Sequence, residues 1–122
     1  MIKTFIFLNG LYDICCSISI LITDNYLSKL HLDLFINKPD EITKRFLSFW
    51  IMTYGIIRTS IGFYPKSYEL KKLGIISYLV EAFCFEYESF VSNNLHKNKI
   101  RFISLFICLT LTFIVYNAIL DI

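Results

Sequence analysis

Four apolar runs, at residues 2–22, 46–64, 73–91 and 102–120, account for most of this 122-residue chain. Each approaches the roughly 20 residues that a helix rising 1.5 Å per residue needs to cross about 30 Å of hydrocarbon. Lipid offers no water to the backbone, so a run of this length crosses it by bonding its own N–H and C=O groups as a helix. The expected fold is an all-α membrane protein: four transmembrane helices in an antiparallel bundle, a single domain over residues 1–122. The connections at 65–72 and 92–101 are short, as antiparallel neighbours require. The connection at 23–45 is longer and mixes charges with Tyr26, Leu27, Leu30, Leu32, Leu34, Phe35 and Ile36. That mixture predicts a short interfacial helix on the membrane surface, ended before Pro39.

Composition agrees with lipid and argues against other classes. The chain is 56% hydrophobic and only 18% charged, with a mean hydropathy of +0.58. A net charge of +2 gives no electrostatic footprint for nucleic acid. Lys3 ahead of an apolar run resembles a secretory signal, but Asn9 and Asp13 interrupt its core and no small-residue cleavage site follows, so the first helix is read as a retained anchor. Lys29, Lys38, Lys44, Arg45, Lys97, Lys99 and Arg101 flank one side, against Lys3, Lys66, Lys71 and Lys72 on the other. This bias points both termini away from the cytosol.

Cys15, Cys16, Cys84 and Cys108 all fall inside the apolar runs and are read as small apolar residues without a disulfide framework. Cys84 and Glu88 share a helical face with His96 just beyond, but no metal-binding spacing accompanies them. No metal or cofactor is expected.

The polar residues within the runs carry the functional information. An ionised side chain near a bilayer centre costs from about 3 to 15 kcal/mol depending on the reference state. Arg58 and Glu81 therefore require partners, water or a task. With alternating helix directions and 1.5 Å per residue, Arg58 sits roughly 10 Å deep, Glu81 roughly 14 Å and Asp13 roughly 15 Å from the same side. Asn9 and Asn117 are shallower on that side. The five residues form a candidate intramembrane polar cluster, with Arg58 between Asp13 and Glu81, either bracing the bundle or relaying a proton. Among the aromatics, Trp50, Tyr54, Tyr78, Phe83, Phe85 and Tyr87 read as packing and interface belts or as the wall of a lipid groove. Gly55 and Thr59 form a small-residue pair suited to close helix approach.

The stretch RFLSFWIMTYGIIR, running from Arg45 through Trp50 to Arg58, is followed by Ser77 and Tyr78 and by Glu88 in FCFEYESFV. Over residues 45–92 this resembles the ergosterol biosynthetic protein 28 family, small four-helix membrane proteins. Arg45, Trp50, Arg58 and Glu88 stand at spacings similar to that family's pattern, while Phe46 and Ser48 replace its Thr and Gly. The resemblance implies a non-enzymatic scaffold of the endoplasmic reticulum that tethers the enzymes of sterol C-4 demethylation. Arg45 and Arg58 are thirteen residues apart, hence some 220° apart around a helix at about 100° per residue. Arg58 is thus expected to face the bundle interior and Arg45 to reach Glu88 or lipid phosphate at the membrane edge.

Two classes of function follow. One is an integral membrane scaffold in sterol or lipid metabolism, with membrane lipids and sterol-modifying enzymes as partners and homo-oligomers allowed. The other is a small-molecule site for a sterol or lipid, an isomerase-like enzyme or a transporter built on Asp13, Arg58 and Glu81. The absence of a recognisable nucleophile, metal or nucleotide motif favours the first.

Overall fold

Polar residues, and not the ends of the apolar runs, set where the helices begin. The computed structural model describes residues 2–22 and 31–120, with side chains at 4–22, 31–99, 101 and 103–112. Its described residues form four helices: α1 (Ile2–Ile22), α2 (Glu41–Phe63), α3 (Tyr68–Phe90) and α4 (Lys97–Leu120). The last three start about one turn before the apolar runs do. Asp40 accepts the Thr43 N–H at 2.7 Å ahead of α2, and Ser67 accepts the Leu70 N–H at 3.3 Å ahead of α3. Each satisfies a backbone donor that the first helical turn leaves unpaired. Asp40, together with Glu41 in the first turn, also places negative charge at the positive end of α2.

The α1–α2 interface is the closest in the molecule. A Cβ on Gly10 would lie 2.5 Å from the Thr59 backbone nitrogen and 2.9 Å from the Gly55 carbonyl oxygen. One on Gly55 would lie 3.0 Å from the Gly10 carbonyl oxygen. Only glycine lets the two backbones approach this far, as in other helix pairs associating in lipid. Two turns along, Ser17 and Ser48 lock the seam reciprocally. The Ser17 hydroxyl donates to the Ser48 carbonyl at 2.7 Å, and the Ser48 hydroxyl to the Ser17 carbonyl at 2.8 Å. As the contact residues rise along α1 they fall along α2, so these two helices run in opposite directions.

The other interfaces rely on larger side chains. Ile6, Ile61 and Tyr78 form one buried cluster joining α1, α2 and α3. Phe85, Ile107, Leu34 and Leu95 form a second, joining α3 and α4 to the first and third connections. The first connection does not continue as a helix through residue 36. Part of the expected interfacial helix falls on residues 23–30, outside the described residues. His31 and Leu32 are helical, but the chain then turns, and Phe35 pairs with Leu95 in an isolated antiparallel bridge. The Ile36 N–H donates to the Asn94 carbonyl at 2.9 Å and the His96 N–H to the Leu34 carbonyl at 2.8 Å. Backbone bonding between the two connections won over helix propensity, which pins them together at one end of the molecule.

Thr4–Ile22 and Glu41–Phe63 are long and apolar enough to cross a membrane. The distribution of side chains supports lipid as their surroundings. Leu8 and Ile22 on α1, Phe46 and Phe63 on α2, Phe83 on α3 and Leu105 on α4 are all exposed, whereas Asp13, Ser17, Ser48, Arg58, Ser77 and Ser89 are buried. A water-soluble monomer partitions the other way.

Candidate functional site

Arg58 is the largest fully buried side chain in the described structure, 1% exposed. Residues four apart on a helix share a face, so Tyr54 and Arg58 of α2 look toward Ser77, Tyr78 and Glu81 of α3, which also fall on one face. Asp13 of α1 enters from the third side. Each guanidinium nitrogen donates to a protein acceptor: Nη1 to Asp13 Oδ2 at 2.5 Å, Nη2 to Glu81 Oε2, and Nε to Ser77 Oγ at 3.3 Å. Ser77 in turn donates to the Gly74 carbonyl at 2.7 Å. The guanidinium carbon lies 3.8 Å from the centre of the Tyr78 ring and 5.0 Å from that of Tyr54. Such ring contacts are worth about 2 kcal/mol when desolvated.

The structure thus brings Asp13, Arg58 and Glu81 together around one cation. Asn9 joins by one further link, its Oδ1 accepting the Tyr78 hydroxyl. Asn117 lies on α4, but its side chain is outside the described residues. Tyr54 and Tyr78, read from the sequence as belt or groove aromatics, instead hold the guanidinium. The signal available for them was helical register: both sit on the faces that carry Arg58 and Glu81. Ser17 and Ser48 left no comparable trace, since small hydroxyl residues occur throughout apolar helices.

The residues of the family-like pattern divide between two places. Arg58 belongs to the buried cluster, and Trp50 and Glu88 stand at the other end of α2. Arg45 does not reach Glu88: it is exposed, and no ion pair joins the two among the described residues. The early start of α2 puts Arg45 a turn inside the helix on an outward face, while a local turn satisfies Glu88. Asn93 adopts a left-handed conformation, φ 55°, just past α3, which asparagine tolerates better than most residues. The chain folds back there, so the Asn94 backbone donates to the Glu88 carbonyl at 2.8 Å and the Asn94 side-chain amide to Glu88 Oε2 at 2.9 Å. Beside this pair runs an open groove of about 480 Å³ between α2 and α3, roofed by Phe35 and Pro39 and walled by Phe46, Leu47, Trp50 and Cys84. Trp50 is steadied by the Tyr54 ring at 4.8 Å and the Phe85 ring at 6.3 Å.

Among the described residues no three His, Cys, Asp or Glu side chains converge as a metal site, and all four cysteines are free. An arginine closed in by two carboxylates and two tyrosine rings, inside helices whose outer surfaces are apolar, defines a small helical membrane protein with an internal ion-pair cluster. The chain belongs to the Erg28-like family, described as Erg28 like protein, whose match covers residues 2–114. Membership associates it with membranes and with sterol biosynthesis. No curated protein and no solved structure matches it.

Proposed function

We propose that the chain is a four-span, antiparallel membrane scaffold of the endoplasmic reticulum that holds sterol-modifying enzymes together, and that it is not itself an enzyme. The family match supports the setting. The observation that carries the scaffold reading is the enclosure of Arg58, whose three nitrogens each donate within the protein while two tyrosine rings pack against it. A guanidinium so enclosed offers a substrate little, but it fixes the relative positions of α1, α2 and α3. Buried ion pairs of this kind serve structural specificity more readily than net stability. In this reading Asp13, Arg58, Glu81 and Asn9 form a structural brace, and the exposed apolar faces of the helices meet lipid and partner helices.

Proximity labelling from either terminus in intact cells tests the reading. Recovery of sterol-modifying membrane enzymes is the expected result, and a labelled set without them would overturn it. Accessibility labelling of the termini and of the three connections tests the four spans separately. Four spans require both termini on one side and the first and third connections together on the other.

A further inference from the structure

We propose that the groove beside Trp50 binds one membrane amphiphile with a hydrogen-bond-donating head and a flat apolar body, its head on Glu88 and its body against Trp50. This inference stands independently of the scaffold reading. The groove's volume of about 480 Å³ lies within the range of about 300–1,000 Å³ typical of small-molecule sites. Its walls, Phe35, Leu47 and Trp50, are flat or branched apolar groups. Glu88 is the single charged side chain among the residues lining it. Its Oε2 accepts the Asn94 amide, and among the described residues Oε1 has no protein donor. A carboxylate oxygen beside apolar walls, in a lining that also includes Asn37, Thr43 and Asn94, selects a donor, which means a hydroxyl or an ammonium. It disfavours phosphate and carboxylate heads by like-charge repulsion.

The alternative location, the Arg58 cluster, lacks these properties. Each nitrogen of its cation already donates within the protein, and two tyrosine rings cover the guanidinium. A docked partner helix fits the groove less well, because a trough for a helix must run over several turns, whereas the α2 residues lining this one, from Thr43 to Trp50, cover about two turns.

Trp50 is the single tryptophan of the chain, so its emission reports the groove without engineering. The full-length protein in phosphatidylcholine nanodiscs is titrated with a fluorescent rigid-ring alcohol bearing a conjugated triene, which accepts energy from tryptophan. Three further probes carry the same rings with an amine, a methyl ether or a phosphate in place of the hydroxyl. Saturable transfer is expected with the alcohol or the amine, and their relative affinities distinguish a hydroxyl ligand from a cationic one. Affinity should fall about tenfold or more for the methyl ether and the phosphate, and by a similar factor for the alcohol in Glu88→Leu. Alkylation of Cys84 should slow in parallel as the alcohol saturates.

Transfer that rises linearly with probe and never saturates would overturn the proposal. So would equal affinity for the methyl ether, or unchanged affinity in Glu88→Leu at normal thermal stability. Saturation seen only after a partner protein is added would assign the groove to that partner instead, and also overturns it. Proximity labelling is indifferent to all of these outcomes, so the two readings fail separately.

Discussion

The two ends of α2 treat polarity in opposite ways. Toward its C-terminus, Arg58 is sealed among Asp13, Glu81, Ser77 and two tyrosine rings, and every nitrogen is paired within the protein. Toward its N-terminus, Glu88 of α3 faces an open groove with one oxygen paired and the other available. The backbone packing follows the same division. Glycines at 10 and 55 bring α1 and α2 together near Arg58, whereas the groove lies where α2 and α3 are held apart by Trp50 and Phe85. A buried charge needs a closed and rigid surround, and a binding groove needs an open one; a single helix supplies both by changing the size of its contact residues along its length.

Removing the cation should produce the largest difference between the ends. Arg58→Leu leaves Asp13 and Glu81 facing each other without a counter-charge, a change expected to cost about 3–5 kcal/mol. Glu88→Leu, at the open end, should stay within about 0.5 kcal/mol of the parent. Unfolding in detergent by denaturant titration measures both. Equal losses at the two positions would show that the two ends of α2 do not differ in this way.

The close glycine seam gives the next effect. Alanine at Gly10 gains about 1 kcal/mol in helix propensity. Its methyl group, however, would sit 2.5 Å from the Thr59 nitrogen, against backbone that cannot rotate away. Overpacking of this kind costs about 1–3 kcal/mol, and loss of the Ser17–Ser48 bonds adds to it if the helices part. The net prediction for Gly10→Ala is destabilisation by about 1–2 kcal/mol, visible as a lower unfolding midpoint. A stabilised variant would show that the helices can separate without penalty.

Glu81→Gln should be milder. The amide oxygen still accepts from Arg58 and Asp13 still neutralises it, so a loss of about 1 kcal/mol is expected. Complementation of the cellular function should be retained at normal protein levels. Abolished complementation with intact folding would instead identify Glu81 as a proton carrier and return the closed end to the class of reactive sites.

The sequence foretold the closed end better than the open one. Arg58 and Glu81 are conspicuous because a charge in an apolar run has few explanations, and depth along each helix sufficed to group them with Asp13. Asn9 fitted by the same arithmetic, although its link runs through Tyr78, whose ring was free to be belt, wall or lid until neighbouring helices fixed it. Arg45 and Glu88 are less legible. Position at the membrane edge points Arg45 to Glu88 or to lipid phosphate, and of these the contact with Glu88 does not form: Asp40 sets the start of α2 outward, and Asn93 turns the chain so that Asn94 reaches Glu88. Such local capping and turn chemistry decides where side chains near helix ends point, and apolar run lengths carry no record of it.

The smallest effect on the molecule as a whole should arise at His31, in the first connection. Its Nδ1 is shut off from solvent and has no partner among the described residues, and burial pushes its pKa down to about 4. A histidine kept neutral in the fold but free to ionise near pH 6.5 when released contributes fully above that value. The contribution is lost progressively as pH falls from about 6.5 toward 4, because only the released state gains the proton. Acidification from pH 7 to pH 5 should therefore increase opening of the connection on the order of tenfold, read as a lower amide protection factor, with the intrinsic exchange rate divided out at each pH, at Ile36 and His96, whose N–H groups bond across to the other connection. Protection factors in α1 and α2 around Gly10 and Gly55 should stay level over the same range. His31→Phe should remove the pH dependence of protection at Ile36 and His96; if protection still falls on acidification in that variant, a group other than a buried neutral imidazole releases the connection.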